Sequence, residues 1–142
     1  MITLFALMLT MVPTPPEQRI DTSDTVLRRR ACSQVVVKAP GKAPSTRRMT
    51  WRARDAVDLE LSTRVQSSTE ARNIEFRVYT PAGHLYETFA ASITRGSAAA
   101  ARLPVSGTAI TQRGLYGHWK VVPHFEGDLA PCGQARSFGL MP

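Results

Sequence analysis

What this chain lacks narrows its possible chemistry before any fold is considered. No Gly-x-Ser-x-Gly elbow occurs, so the usual turn that presents a nucleophilic serine is missing. No glycine-rich phosphate loop occurs either. The three histidines, His84, His118 and His124, are spread out. His118 and His124 fall on the same face of one predicted strand, some 20 Å apart at about 3.3 Å per residue, which is too far to share a metal. Zinc needs three or four ligands at close range, and none gather here. The longest apolar run, Ile2 to Val12, has eleven residues, too few to cross a bilayer. Amphipathic helical periodicity is absent, as is any repeat of 20 to 50 residues. The expectation is therefore a non-enzymatic protein with no cofactor and no transmembrane span.

Acidic residues are also unevenly absent. The chain carries 18 basic and 11 acidic side chains, a formal net charge of +7. Between Arg28 and Arg54 there is no Asp or Glu at all. That stretch holds Arg28, Arg29, Arg30, Lys38, Lys42, Arg47, Arg48, Arg52 and Arg54. Such a block suits an anionic partner, whether nucleic acid, polysaccharide or an acidic protein; a merely solvated surface is the plain alternative. Trp51 sits within the block, and an aromatic among arginines can stack on a sugar or base. Its ordinary role would be a strand residue packed inward. Asp55, Asp58 and Glu60 follow; Asp58 and Glu60 share a strand face and could bind a cation or pair with Arg64, and salt-bridged solvation is the expected role.

The N-terminal run Ile2–Val12 precedes Pro13-Thr14-Pro15-Pro16. Its length suits the apolar core of a secretory signal, although no Lys or Arg precedes it and no small-x-small site follows. An apolar segment tucked into the fold is the alternative. Residues 17–30 are polar and read as a flexible lead-in. Cysteine is scarce, with Cys32 and Cys132 the only two. An even count in an exported chain predicts one disulfide; the alternative is two buried thiols.

The rest alternates with a period of two. Val57, Leu59, Leu61 and Val65 share one parity, and Ile74, Phe76 and Val78 share another. Thr80-Pro81-Ala82-Gly83-His84 is a tight turn, so Leu85–Ile93 should return as a hairpin partner. The alanines of Ser97–Ala101 could begin a helical turn. Leu103-Pro104-Val105 reads as an edge segment, and Thr108–Thr111 as a short strand. Trp119, Val121 and Phe125 share a core parity, opposite His118, Lys120 and His124. Seven or eight short strands result, and a β-sandwich buries one face of each.

The segment Leu103-Pro104-Val105-Ser106-Gly107-Thr108, followed by Gly117-His118-Trp119-Lys120-Val121 and the Gly127-Asp128 turn, resembles a pattern of bacterial envelope β-sandwiches. Phe76-Arg77-Val78-Tyr79-Thr80-Pro81-Ala82-Gly83 is similar in kind. The likeness covers about residues 57–140 and points to immunoglobulin-like or macroglobulin-like modules. It implies an all-β, antiparallel immunoglobulin-like sandwich over residues 31–142, in the periplasm or secreted. It also implies that the first and last strands run side by side and parallel, bringing Cys32 near Cys132. No active site is carried over. The implied function is an interaction or structural module binding a partner protein through a sheet edge or face. Leu103 to Ile110 is the candidate exposed edge, and anionic-polymer binding through residues 28–54 is the alternative.

Overall fold

The computed structural model describes residues 31–41, 49–56, 58–66, 73–93 and 98–142. The proposed signal, the lead-in and Val57 lie outside them. Among the described residues eight strands are formed: β1 (Val36–Lys38), β2 (Thr50–Arg52), β3 (Asp58–Arg64), β4 (Ile74–Tyr79), β5 (Leu85–Ala91), β6 (Ala98–Pro104), β7 (Gly117–Phe125) and β8 (Arg136–Met141). One helical turn, α1 (Ala109–Gln112), lies between β6 and β7. The strands divide into two sheets, β1-β3-β6 and β2-β8-β7-β4-β5. Pairing is antiparallel throughout, except that β2 runs parallel to β8.

The alternating pattern maps directly onto the core. Leu59, Leu61, Ile74, Phe76, Val78, Trp119, Val121, Phe138 and Leu140 are all buried in one cluster shared by both sheets. Each strand contributes alternate residues, as the pleat requires, so the architecture is an all-β sandwich. The predicted hairpin forms, with Thr80 N donating to His84 O at 2.8 Å. Gly83 takes φ +87°, a conformation that a β-carbon would strain.

Four local expectations are corrected. Ala98–Ala101 is strand rather than helix, because all seven residues of β6 find ladder partners along β3. Sheet pairing and burial there outweigh the helical preference of alanine. Thr108–Thr111 is not a strand. The Thr108 hydroxyl donates to Val105 O at 2.6 Å and accepts from Ile110 N at 3.3 Å, which caps the helical turn α1. The strand beside and parallel to the last one is β2, not the Val35–Val37 run, whose strand β1 pairs antiparallel with β3. Finally, His124 lies on the outward parity of β7 yet is only 4% exposed, because the loop between β7 and β8 folds over it.

The disulfide is formed: Cys32 and Cys132 are bonded, with Cα atoms 5.2 Å apart. Cys32 N also donates to Cys132 O at 2.9 Å. The bridge joins the chain just before β1 to the loop just before β8. It therefore ties the two sheets at one lateral side.

That side is tightly fitted. A β-carbon on Gly139 would lie 2.5 Å from Thr50 Oγ1 and 3.2 Å from Thr50 Cβ. Thr50 is the ladder partner of Gly139, so the short, branched Thr50 side chain would have to give way and β2 with it. Gly139→Ala should cost about 1–3 kcal/mol, the usual range for overpacking. Urea unfolding of the variant checks this, and an unchanged midpoint would contradict the close approach of β2 and β8.

Candidate interaction surface

Of the basic block, Lys38, Arg52 and Arg54 are within the described residues and all three are exposed. Arg28, Arg29, Arg30, Lys42, Arg47 and Arg48 lie outside them. Trp51 departs from the stacking role: it is 4% exposed and belongs to the core. Its ring face is thus unavailable to a sugar or base. Its indole Nε1 is buried without a hydrogen-bond partner among the described residues, a cost of about 1–3 kcal/mol that the surrounding packing offsets. The plain inward-packed role is the one it fills.

The carboxylates do come together. Asp55, Asp58 and Glu60 line a cleft of about 270 Å³ with Ala39, Pro40, Ala56 and Arg102. Arg102 Nη1 stands 3.8 Å from Asp58 Oδ2, so the cation beside Asp58 is Arg102 of the neighbouring strand rather than Arg64. Among the described residues no group of three or more His, Cys, Asp or Glu side chains is placed to hold a metal ion. His84 and His118 are exposed.

The candidate edge at Leu103 to Ile110 is also corrected. Leu103, Val105 and Ile110 are fully buried. They turn inward because β6 alternates and α1 packs Ile110 beneath the sandwich. What β6 shows to solvent is Ala100, Arg102 and Pro104, a small, charged and proline-blunted edge of the kind that resists strand addition.

The exposed large apolar side chains among the described residues are instead Val36, Leu85, Leu129 and Met141. β5 is the terminal strand of the five-stranded sheet, seven residues long. Leu85 is 55% exposed at its start. Its ladder partner is Tyr79, whose ring faces Lys120 Nζ at 5.3 Å. The register steps between Val78–Glu87 and Tyr79–Leu85, leaving Tyr86 as an extra residue. That bulge turns Tyr86 inward, edge-on to Trp119 at 5.3 Å between centroids, and Leu85 outward. Leu85, Tyr79 and Lys120 consequently form an amphipathic corner on the outer face of the sheet. Nothing in the sequence marked this corner, because period-two reading assigns Leu85 and Tyr86 to the wrong sides unless the bulge is known.

No described helix is long and apolar enough to cross a membrane. Comparison with protein-family models finds no match, and comparison with curated proteins finds none. Among solved structures the chain is similar to Bifidobacterium dentium β-glucuronidase complexed with coumarin-3-O-glucuronide. That likeness has 12% identity and a TM-score of 0.46, and covers 77% of this chain and 18% of the other. The shared segment is thus less than a fifth of the glucuronidase, and a likeness this distant carries no argument about activity.

Proposed function

We propose that this chain is a non-enzymatic interaction or structural module of the bacterial envelope, an exported immunoglobulin-like sandwich. It binds a partner protein through the five-stranded sheet, at the edge of β5 and the adjoining outer face. The observation that carries this reading is the corner at Leu85, Tyr79 and Lys120 beside a terminal strand seven residues long. A terminal strand offers main-chain donors and acceptors to an added strand, and an apolar anchor beside it supplies affinity. The immunoglobulin-like assignment is supported by the crossings that place β6 beside β3 and β7 beside β4, as in Greek-key sandwiches. The disulfide supports export, since such bonds persist in oxidising compartments.

The test is crosslinking and co-purification from native envelope fractions at low and high salt, with the wild type and two variants. A discrete protein partner should survive high salt. Leu85→Lys should weaken its recovery by tenfold or more, the scale of losing about 1.4 kcal/mol at an interface anchor. Val36→Lys on β1, the edge strand on the far side of the sandwich from β5, should leave it intact. Equal loss with both variants would sink the β5 assignment. Recovery only of nucleic acid or polysaccharide, released as salt rises, would favour the basic block instead. That alternative retains Lys38, Arg52 and Arg54 as exposed cations and loses Trp51.

A further inference from the structure

His124 is the one histidine that the fold encloses, and its surroundings form a clamp. It stands opposite Glu75 in the β4–β7 ladder. The loop leaving β7 doubles back across it: Asp128 N donates to Phe125 O at 3.0 Å, and Cys132 N donates to Pro123 O at 2.9 Å. The Asp128 carbonyl lies 3.2 Å from His124 Nδ1 and also accepts from Arg77 Nη2 at 3.1 Å. Arg77 in turn pairs with Glu75 at 3.4 Å. Glu126, at the loop's start, receives the side-chain amide of Asn73 at 3.0 Å. The loop's apex is Leu129, 90% exposed, held out on a segment fixed at one end by this clamp and at the other by the disulfide.

We propose that His124 is a proton-operated latch on the loop that presents Leu129. With Nδ1 carrying the hydrogen, the neutral ring donates to Asp128 O and the loop lies closed. A second proton on the ring places a full positive charge beside Arg77 in a site with little water. Glu75 opposes that repulsion only in part, because its pull on the ring is weaker than the push of Arg77. The carboxylate of Glu126 faces Asn73 instead. Opening the loop returns the ring to solvent and relieves both costs, so acid favours the open loop.

The titration has the matching sign. Burial, and then Arg77, hold the pKa of His124 below its ordinary value of 6.5, while the Asp128 and Ala130 carbonyls and Glu75 act in the opposite direction. A histidine whose closed-state pKa is depressed contributes stability that is complete above 6.5. That contribution is lost as pH falls from 6.5 through the closed-state value. The latch thus holds at neutral pH and weakens on acidification. This inference does not depend on the β5 surface, which lies on the opposite side of Arg77 along the sheet.

The test is amide hydrogen exchange and histidine ring NMR on the full, oxidised chain between pH 7.5 and pH 5. The His124 ring should titrate below 6.5. The amides of Asp128 and Cys132 should exchange several-fold faster at pH 5 once intrinsic rates are corrected. The amide of Gly83, bonded to Thr80 O in the far turn, should not change. In His124→Gln the loop amides should lose this pH response. Arg77→Met, which removes the neighbouring charge and keeps the histidine, should move the ring's midpoint back towards 6.5. A ring midpoint at or above 6.5 in the wild type would overturn the proposal. So would loop opening of the same size in His124→Gln, or acid loosening that spreads equally to Gly83.

Discussion

Replacing Cys32 and Cys132 together by alanine should lower the stability of the folded chain by about 4 kcal/mol or more. The bridge closes a loop with a sequence separation of 100, and in the chain-entropy account so long a loop removes much of the freedom of the unfolded ensemble. Both sulfurs are buried, so alanine rather than serine is the informative replacement, since it adds no unpaired hydroxyl. A domain of this size has a total stability of roughly 5–15 kcal/mol, and the loss would be a large share of it. The folded state should survive in weakened form, because β1 remains paired with β3 and β2 with β8. Urea unfolding of the oxidised wild type, the reduced wild type and the double variant measures the effect. The two thiol-free or reduced forms should agree. A difference from the oxidised chain under about 1 kcal/mol would show that native strain cancels the entropic gain.

Trp119→Ala should be as damaging, at about 3–5 kcal/mol. The indole is fully buried, stacked on Phe138 at 6.3 Å between centroids and met edge-on by Tyr86. Its Nε1 donates to Leu115 O at 2.9 Å. Truncation would leave a large cavity in the middle of the five-stranded sheet and strip the Leu115 carbonyl of its donor. Trp119→Phe separates the two losses: it keeps most of the apolar ring and removes the hydrogen bond, and should cost about 1–3 kcal/mol. Urea midpoints for the pair check both values. A Trp119→Ala loss below about 1 kcal/mol would mean that the loop from Leu115 to Gly117 collapses into the space.

Much of this architecture is legible in the chain. The alternation in Leu59–Val65, in Ile74–Val78 and in Trp119–Val121 specifies strands, and specifies which face of each is buried, because side chains change sides at every residue. Turn chemistry at Pro81–Gly83 places one hairpin, since those residues preset the dihedrals locally. The partnering of the two cysteines is foreshadowed by their count. These are all properties of short segments, governed by sterics and by the need to hide apolar surface.

The misreadings arise where a segment's neighbours outweigh its own preference. Ala98–Ala101 becomes strand because β3 supplies seven partners. Thr108–Thr111 becomes helix because a hydroxyl caps it against Val105. Of its two readings Trp51 takes the inward one, because β2 joins the five-stranded sheet in register with Leu140. The exposed corner at Leu85 depends on one extra residue in β5, and the enclosure of His124 on a loop that returns over the sheet. By itself the sequence determined that this protein is an all-β sandwich with a disulfide-ready pair of cysteines. It also settled which residues of most strands point inward, because hydrophobic period and turn sterics act within a few residues. Only the tertiary structure decided which strand runs beside the last one, which edge carries exposed apolar surface and which histidine is sealed from water. Those outcomes depend on hydrogen-bond ladders and packing between segments up to a hundred residues apart, which no local pattern encodes.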